Sequence, residues 1–273
     1  MPISEHQGFH ADFDASKQII NIKNIRSLSE QNQQSLVDRF NEFGFVILRC
    51  EDAAESRADL CALKNLLGES TPHPRADQDG IVSIDPSDQA IGFIGASNSE
   101  HLLHTDGAYS DKPEKIISLQ CVFATKTGGD TILASAKSAF TSLSSSLPRD
   151  IHTLFDGDAL LVERKGQSSR NSVFRLNADG RIALKFRMSD GSASVTPSAA
   201  AQIAYLAFCA FFENRKHQIQ FRLEQQDILI ADNTAIVHGR TAFPSDEKRT
   251  RRRLNFDASG PLCANLSLGF VAP

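Results

Sequence analysis

The sequence predicts a mixed α/β, mainly β fold: a double-stranded β-helix, or jelly-roll, core with flanking helices. Three observations predict it. Short apolar runs separated by Gly, Asn, Asp and Ser clusters fill the middle of the chain, as in double-sheet β folds. The helical signals are few and sit at the flanks. Strand–helix alternation, which a doubly wound parallel sheet requires, is missing from the middle.

Residues 30–43 read as an amphipathic helix, with Leu36, Val37, Phe40 and Phe43 on one stripe and Gly44 ending it. Gly44 to Cys50 (GFVILRC) reads as a buried strand. Residues 52–67 read as a second helix through Leu60, Leu63, Leu66 and Leu67. Strands are then expected at 80–84, 90–95, 116–124, 131–135, 158–163, 173–176 and 182–187. Thr196-Pro197 reads as a helix start, Thr as N-cap and Pro at the first helical position, for a helix running to about Asn214. Strands at 217–222, 227–231, 234–237 and 252–257 complete the list.

The chain of 273 residues is long enough for a substantial core, and neither a repeat nor a Pro- or Gly-rich linker divides it. One domain over 1–273 is expected. A net charge of -4 and a pI near 6.1 supply no broad basic field, which argues against nucleic acid or an anionic membrane as partner. The polar, acidic start MPISEHQGFHADFD lacks the apolar segment of a secretory signal, and the longest apolar runs are too short to span a bilayer. Cys50, Cys61, Cys121, Cys209 and Cys263 are odd in number and form no Cys-x-x-Cys pair, so they read as buried thiols of a cytoplasmic protein.

His104-Thr105-Asp106 is a His-x-Asp. In an extended segment, residues i and i+2 share a face, so imidazole and carboxylate can reach one metal. His238, after the apolar run DILIADNTAIV, is the best third ligand. Two histidines and one carboxylate leave open positions and point to a non-haem Fe(II) oxygenase. The dipeptide pattern alone is weak: 8 His and 33 acids in 273 residues give about one His-x-acid match by chance. His10-Ala11-Asp12, in a polar stretch with no strand before it, reads as that chance match. Taken singly, His104 and His238 read equally well as core or surface histidines.

The surroundings of these residues are more specific. Gly128-Gly129-Asp130-Thr131 follows His104, Asp232-Asn233 precedes His238, and a basic run, RTRRR, comes after it. The blocks HTDGAYSDKPEKIISLQCVFATKTGGDT and DILIADNTAIVHGRTAF through RRRLNF resemble the taurine dioxygenase-like (TauD/TfdA) family of Fe(II)/2-oxoglutarate dioxygenases. The flavour is closest to its clavaminate-synthase-like and carbapenem-synthase-like branch. The likeness covers residues from about 40 to 258.

The resemblance implies that His104, Asp106 and His238 are the metal ligands and the catalytic centre, with Fe(II), 2-oxoglutarate and dioxygen as cofactor and cosubstrates. It implies that Thr131 and an arginine hold the distal carboxylate of 2-oxoglutarate. A guanidinium fork meets a carboxylate bidentately and a hydroxyl completes the set. Aligning the leucine that ends RRL assigns Arg252 to this role; Arg251 and Arg253 are rivals that would face the opposite side of a strand. In taurine-oxidising members a second arginine, four positions on, binds the sulfonate. From Arg252 that position is Phe256, which argues against sulfonates and suggests an apolar wall. Glu100 stands where members place a polar substrate contact, and a carboxylate there suits a substrate ammonium. Arg187 is a candidate clamp for a substrate carboxylate. Residues 165–195 are polar and Gly/Ser-rich, as a water-excluding lid would be.

The implied reaction is hydroxylation, desaturation or ring chemistry on a small molecule, with release of succinate and CO2. An amino acid or amino-acid-derived metabolite, as in secondary metabolism, is the expected substrate class. Halogenating relatives carry a small residue where Asp106 stands, which speaks against halogenation. Two readings compete: a catalytically silent barrel that binds a ligand, and a metal-dependent hydrolase on the same ligands. The first predicts a damaged ligand set, and the second gives Thr131 and the arginine no task.

Overall fold

The computed structural model describes residues 6–52, 54–86, 95, 97–164 and 166–273. The chain runs β1 (Ile19–Ile22), α1 (Glu30–Phe43), β2 (Phe45–Cys50), α2 (Ser56–Ala62), α3 (Lys64–Leu67), β3 (Val82–Ile84), β4 (His101–His104), β5 (Ile116–Phe123), β6 (Thr131–Ser135), α4 (Ala136–Ser146), β7 (Leu160–Arg164), β8 (Gln167–Asn171), β9 (Phe174–Leu176), β10 (Ile182–Leu184), β11 (Ser194–Pro197), α5 (Gln202–Glu213), β12 (Ile219–Phe221), β13 (Asp227–Asp232), β14 (Ile236–Arg240) and β15 (Thr250–Arg253).

Two sheets make the jelly-roll core. The larger has the order β1-β2-β13-β5-β15-β3 and the smaller β12-β6-β14-β4; β11-β7-β8 and β10-β9 are accessory sheets. Strand parity sorts the side chains into three apolar layers. Between the two sheets lie Phe45, Ile47, Ile117, Cys121, Leu133, Leu229 and Ile236. On the outer face of the larger sheet, Val46, Leu48, Ile116, Ile228, Ile230, Leu254 and Phe256 pack under α1, α2 and α3. Outside the smaller sheet, Ile132, Ala134 and Val237 meet the phenylalanines of α5 and of the accessory strands. There Phe208 and Phe212 pack edge to face at 4.7 Å, a geometry worth about 1 kcal/mol beyond area burial.

Local signals fix the first elements. The Ser29 side chain accepts from Asn32 N to cap α1, and Leu36, Val37 and Phe40 form its buried stripe. Gly44 closes the helix at φ +77. A Cβ on Gly44 would lie 2.3 Å from His6 Nε2, so glycine is also demanded by packing.

Other elements depart from expectation. The 52–67 segment forms two helices, hinged at Leu63. Thr196-Pro197 ends β11 instead of starting a helix: these residues pair with Leu161 and Leu160 of β7. β11 is an edge strand, so the N–H that proline lacks is not missed. α5 begins at Gln202 with no side-chain cap. The last strand is Thr250–Arg253, earlier than 252–257. The expected strand at 90–95 lies outside the described residues apart from Gly95. The 165–195 segment contains β8, β9, β10 and part of β11.

Candidate metal centre and cosubstrate pocket

β4 and β14 are neighbours in the smaller sheet, and His104 and His238 are direct cross-strand partners. The pairing slips by one residue immediately afterwards, between His238 and Arg240. Gly239 makes this approach possible, because a Cβ there would lie 2.6 Å from the His101 carbonyl oxygen. The two imidazole centroids are 4.4 Å apart.

Asp106 follows in a turn that is fastened from several sides. The Asn233 side chain accepts from Asp106 N (2.8 Å) and donates to the carbonyls of Asp106 (3.0 Å) and Glu114 (2.7 Å). Thr105 N donates to Phe186 O at 2.8 Å, and Phe186 N donates to Thr105 Oγ1 at 2.9 Å. Asp106 Oδ1 thereby lies 3.5 Å from His104 Nε2 and 3.8 Å from His238 Nε2. One ligand atom from each residue falls within 4.8 Å of the other two.

The hydrogen bonding suits a metal. His104 Nδ1 is 2.7 Å from Leu102 O, which can only accept, so Nδ1 carries the proton and Nε2 presents its lone pair. Burial, reinforced by His104, pushes the His238 pKa down to about 3 and keeps its imidazole neutral. Burial alone would raise the pKa of Asp106, but Arg253 and the two histidines hold it well below the usual carboxylate range. Asp106 Oδ2 is engaged by Arg253 Nη1 (3.0 Å) and Asn255 Nδ2 (2.8 Å), leaving Oδ1 to face the imidazoles. Two imidazoles and one oriented carboxylate are a donor set that fits Fe(II).

A cavity runs from these residues between the sheets. Thr131, Arg240 and Arg249 line its polar part, and Ile117, Leu119 and Leu229 its apolar part. Thr131 and Arg240 are cross-strand partners. Arg249 is 3% exposed, and its Nε donates to Gly129 O at 3.2 Å. Burial, then Arg251 and Arg240, push its pKa well below the ordinary arginine value. Among the described residues no carboxylate lies within ion-pair distance of it. A buried guanidinium in that state is costly until an anion enters beside it.

Of the residues singled out in the sequence, His104, Asp106, His238 and Thr131 share this cavity. Arg252 does not reach it. Arg252 pairs with Gln120 across β15–β5, and its Nη1 lies 3.2 Å from Ser56 Oγ and 3.4 Å from Gln120 Oε1. That is the helix-covered face of the larger sheet. Phe256 has the same parity and is fully buried in the layer beneath the helices, so it is no wall of the cavity. Arg253, of opposite parity, does line the cavity, whereas Arg251 turns to the carbonyl of Phe123. Glu100 is exposed and absent from the cavity walls. Arg187 lines a second cavity beside the histidines, with Nη2 on Asp190 Oδ2 (2.8 Å) and Ser192 Oγ (2.9 Å).

Placing the pair at Arg252 and position 256 passed over Arg249 and kept Arg253 only as a rival, whereas both line the cavity. The signal was present: within RTRRR, only Arg249 and Arg253 are arginines four residues apart.

Comparison with known proteins bears on the family and the fold. The family model described as Taurine catabolism dioxygenase TauD, TfdA family matches residues 5–255. Uridine-5'-phosphate dioxygenase from Amycolatopsis sp is 23% identical over 240 residues, covering 80% of this chain and 86% of that protein. Among solved structures, asparagine oxygenase in complex with Fe(II), 2S,3S-3-hydroxyasparagine and succinate superposes with a TM-score of 0.61 at 14% identity, covering 88% of this chain and 93% of the other. The non-heme iron oxygenase OrfP in complex with Fe and alpha-ketoglutaric acid superposes with a TM-score of 0.66 at 18% identity, covering 86% and 84%. At these identities the superpositions establish a shared fold.

Proposed function

Because the chain belongs to the taurine catabolism dioxygenase TauD, TfdA family, we propose that it is a 2-oxoglutarate-dependent oxygenase in which His104, Asp106 and His238 hold Fe(II). The observation that carries this reading is the adjacency of the three ligands to a buried Arg249 beside Thr131, with no carboxylate within ion-pair distance of it among the described residues. Bound Fe(II) with 2-oxoglutarate and dioxygen supplies oxidative decarboxylation to succinate and CO2 coupled to oxidation of a substrate C–H bond.

The chain's own residues do the positioning. Arg249 and Thr131 take the distal carboxylate, a charge-assisted contact that relieves the buried cation. Ile117, Leu119 and Leu229 shield the keto acid from water. Arg253 and Asn255 keep Asp106 in one orientation by holding Oδ2. A silent barrel or a hydrolase gives Arg249 no comparable task.

The substrate is a small molecule, and the amino-acid chemistry named for asparagine oxygenase supports an amino acid or amino-acid-derived metabolite. Glu114 replaces Glu100 as the acidic contact, because it is nearly buried and lines a third, outer cavity together with Gly107, Tyr109 and Gln167. Arg253 stands four residues after Arg249, so the argument against sulfonates lapses. Arg187 remains a candidate substrate contact. The 165–195 segment is a candidate lid, since its Gln167 lines the outer cavity. Its five unpaired cysteines support a reducing, cytoplasmic setting. The test is succinate formation from 2-oxoglutarate. It should require Fe(II) and dioxygen and vanish in His238→Ala; undiminished formation in that variant refutes the reading.

A further inference from the structure

His101 stands beside the metal residues without joining them. In a regular strand, residues three apart point to opposite faces, so His101 and His104 of β4 should not meet. The pairing with β14 removes that separation. His238 pairs with His104 and Arg240 with His101, so three steps along β4 match two along β14, and β4 carries a bulge. The extra residue returns His101 to the side of His104, with ring centroids 4.0 Å apart and planes tilted by 31°. Among the described residues, the ligand atoms that could share one ion are those of His104, Asp106 and His238, without His101. His101 Nε2 is nevertheless buried, with no hydrogen-bond partner among the described residues. The ring lines the cosubstrate cavity and also the second cavity, so it stands where the two meet. A polar atom buried without a partner is costly until a ligand satisfies it.

2-Oxoglutarate has the matching deficit. Thr131 and Arg249 take its distal carboxylate. At the other end, chelation through the keto oxygen and one oxygen of the adjoining α-carboxylate leaves the second α-carboxylate oxygen without a partner. The walls there include Ile84, Ile117, Leu119 and Leu229, which cannot donate to it from their side chains. Ser118 Oγ already donates to Leu254 O, and Arg253 Nη1 to Asp106 Oδ2. We propose that His101 is a further cosubstrate-binding residue, whose Nε2–H donates to the uncoordinated oxygen of the α-carboxylate. This inference rests on the oxygenase reading above and adds a contact that the three ligands, Thr131 and Arg249 do not supply. It also gives the site a way to tell cosubstrate from product. Succinate keeps the distal carboxylate and lacks the α-carboxylate, so it gains nothing from His101.

The experiment is anaerobic calorimetric titration of 2-oxoglutarate, and separately of succinate, into Mn(II)-loaded protein, unaltered and His101→Phe. Phenylalanine keeps a flat ring against His104 and removes the nitrogen. In the variant, affinity for 2-oxoglutarate is expected to fall about tenfold or more, as loss of a hydrogen bond to a charged group implies. Affinity for succinate should change less than about twofold, and one equivalent of Mn(II) should still bind. Unchanged 2-oxoglutarate affinity, or an equal loss for both ligands, overturns the inference. Should His101→Phe fail to fold, nitrogen NMR of histidine-labelled, unaltered protein loaded with diamagnetic Zn(II) decides. The His101 imidazole signal, identified by its absence in His101→Gln, should shift with 2-oxoglutarate and not with succinate; the same response to both, or to neither, overturns the inference. Absence of metal-dependent 2-oxoglutarate binding by the unaltered chain is a different failure: it overturns the oxygenase reading and this inference with it.

Discussion

Replacing Arg249 by Ala tests the cosubstrate pocket at its most sensitive point. The side chain is 3% exposed, and one of its donors is committed to Gly129 O. The rest of the guanidinium faces a cavity with no carboxylate of its own within ion-pair distance among the described residues. An incoming carboxylate therefore gains a desolvated, charge-assisted contact. Truncating such a partner costs roughly 2–5 kcal/mol, or about 30-fold to several thousand-fold in affinity. Arg252→Ala is the control. Its guanidinium lies by Ser56 and Gln120 on the other face of the sheet, and it should change 2-oxoglutarate affinity less than about twofold. The assay is anaerobic titration of 2-oxoglutarate into metal-loaded protein. Folding does not obscure the result, because Arg249→Ala removes a buried cation crowded by Arg251 and Arg240 and should not lower thermal stability greatly. A larger loss in Arg252→Ala than in Arg249→Ala would refute the strand-parity argument.

His238→Ala should lose tight Fe(II) binding by metal analysis, whereas His10→Ala, in the other His-x-Asp, should retain one equivalent. Asn233→Ala removes three hydrogen bonds that fasten the Asp106 turn, and should cost about 2–4 kcal/mol by denaturant unfolding and weaken metal binding as well. His6 is fully buried with neither ring nitrogen hydrogen-bonded among the described residues, and burial, then Arg181 and Lys137, depress its pKa from 6.5 to about 3. The unfolded chain therefore takes up this proton first. Its contribution is present above pH 6.5 and is lost as pH falls toward 3, by up to roughly 4 kcal/mol. His6→Gln should flatten that part of the stability–pH curve measured by urea unfolding; an unchanged slope would show that other groups set it.

What was legible in the sequence was what local signals determine. α1 carried its own cap, stripe and stop in Ser29, Phe40 and Gly44, and the all-buried β6 and β13 announced themselves as apolar runs. α4 did not, because its SAFTSLSSS run has weak helical preference and is stabilised by packing Ala139, Phe140 and Leu143 on the smaller sheet. Thr196-Pro197 showed a helix-start signal that tertiary pairing with β7 overrode. In the site, His104, Asp106 and Thr131 share one cavity because their spacing is local to strands that converge. Arg252 faces away from the cavity because its parity in β15 is opposite to that of Arg253, and alignment on the following leucine does not report parity. Glu100 and Phe256 also lie outside the cavity. Nearness in sequence to His104 or to the arginines put neither in the cavity, since one is exposed and the other turns under the helices.

The most direct test is a crystal structure of the protein grown anaerobically with Mn(II) and 2-oxoglutarate. The account predicts one anomalous metal peak bounded by His104 Nε2, Asp106 Oδ1 and His238 Nε2, with the distal carboxylate of the keto acid on Arg249 and Thr131. Metal density away from these three residues, or the carboxylate resting on Arg252, would contradict it.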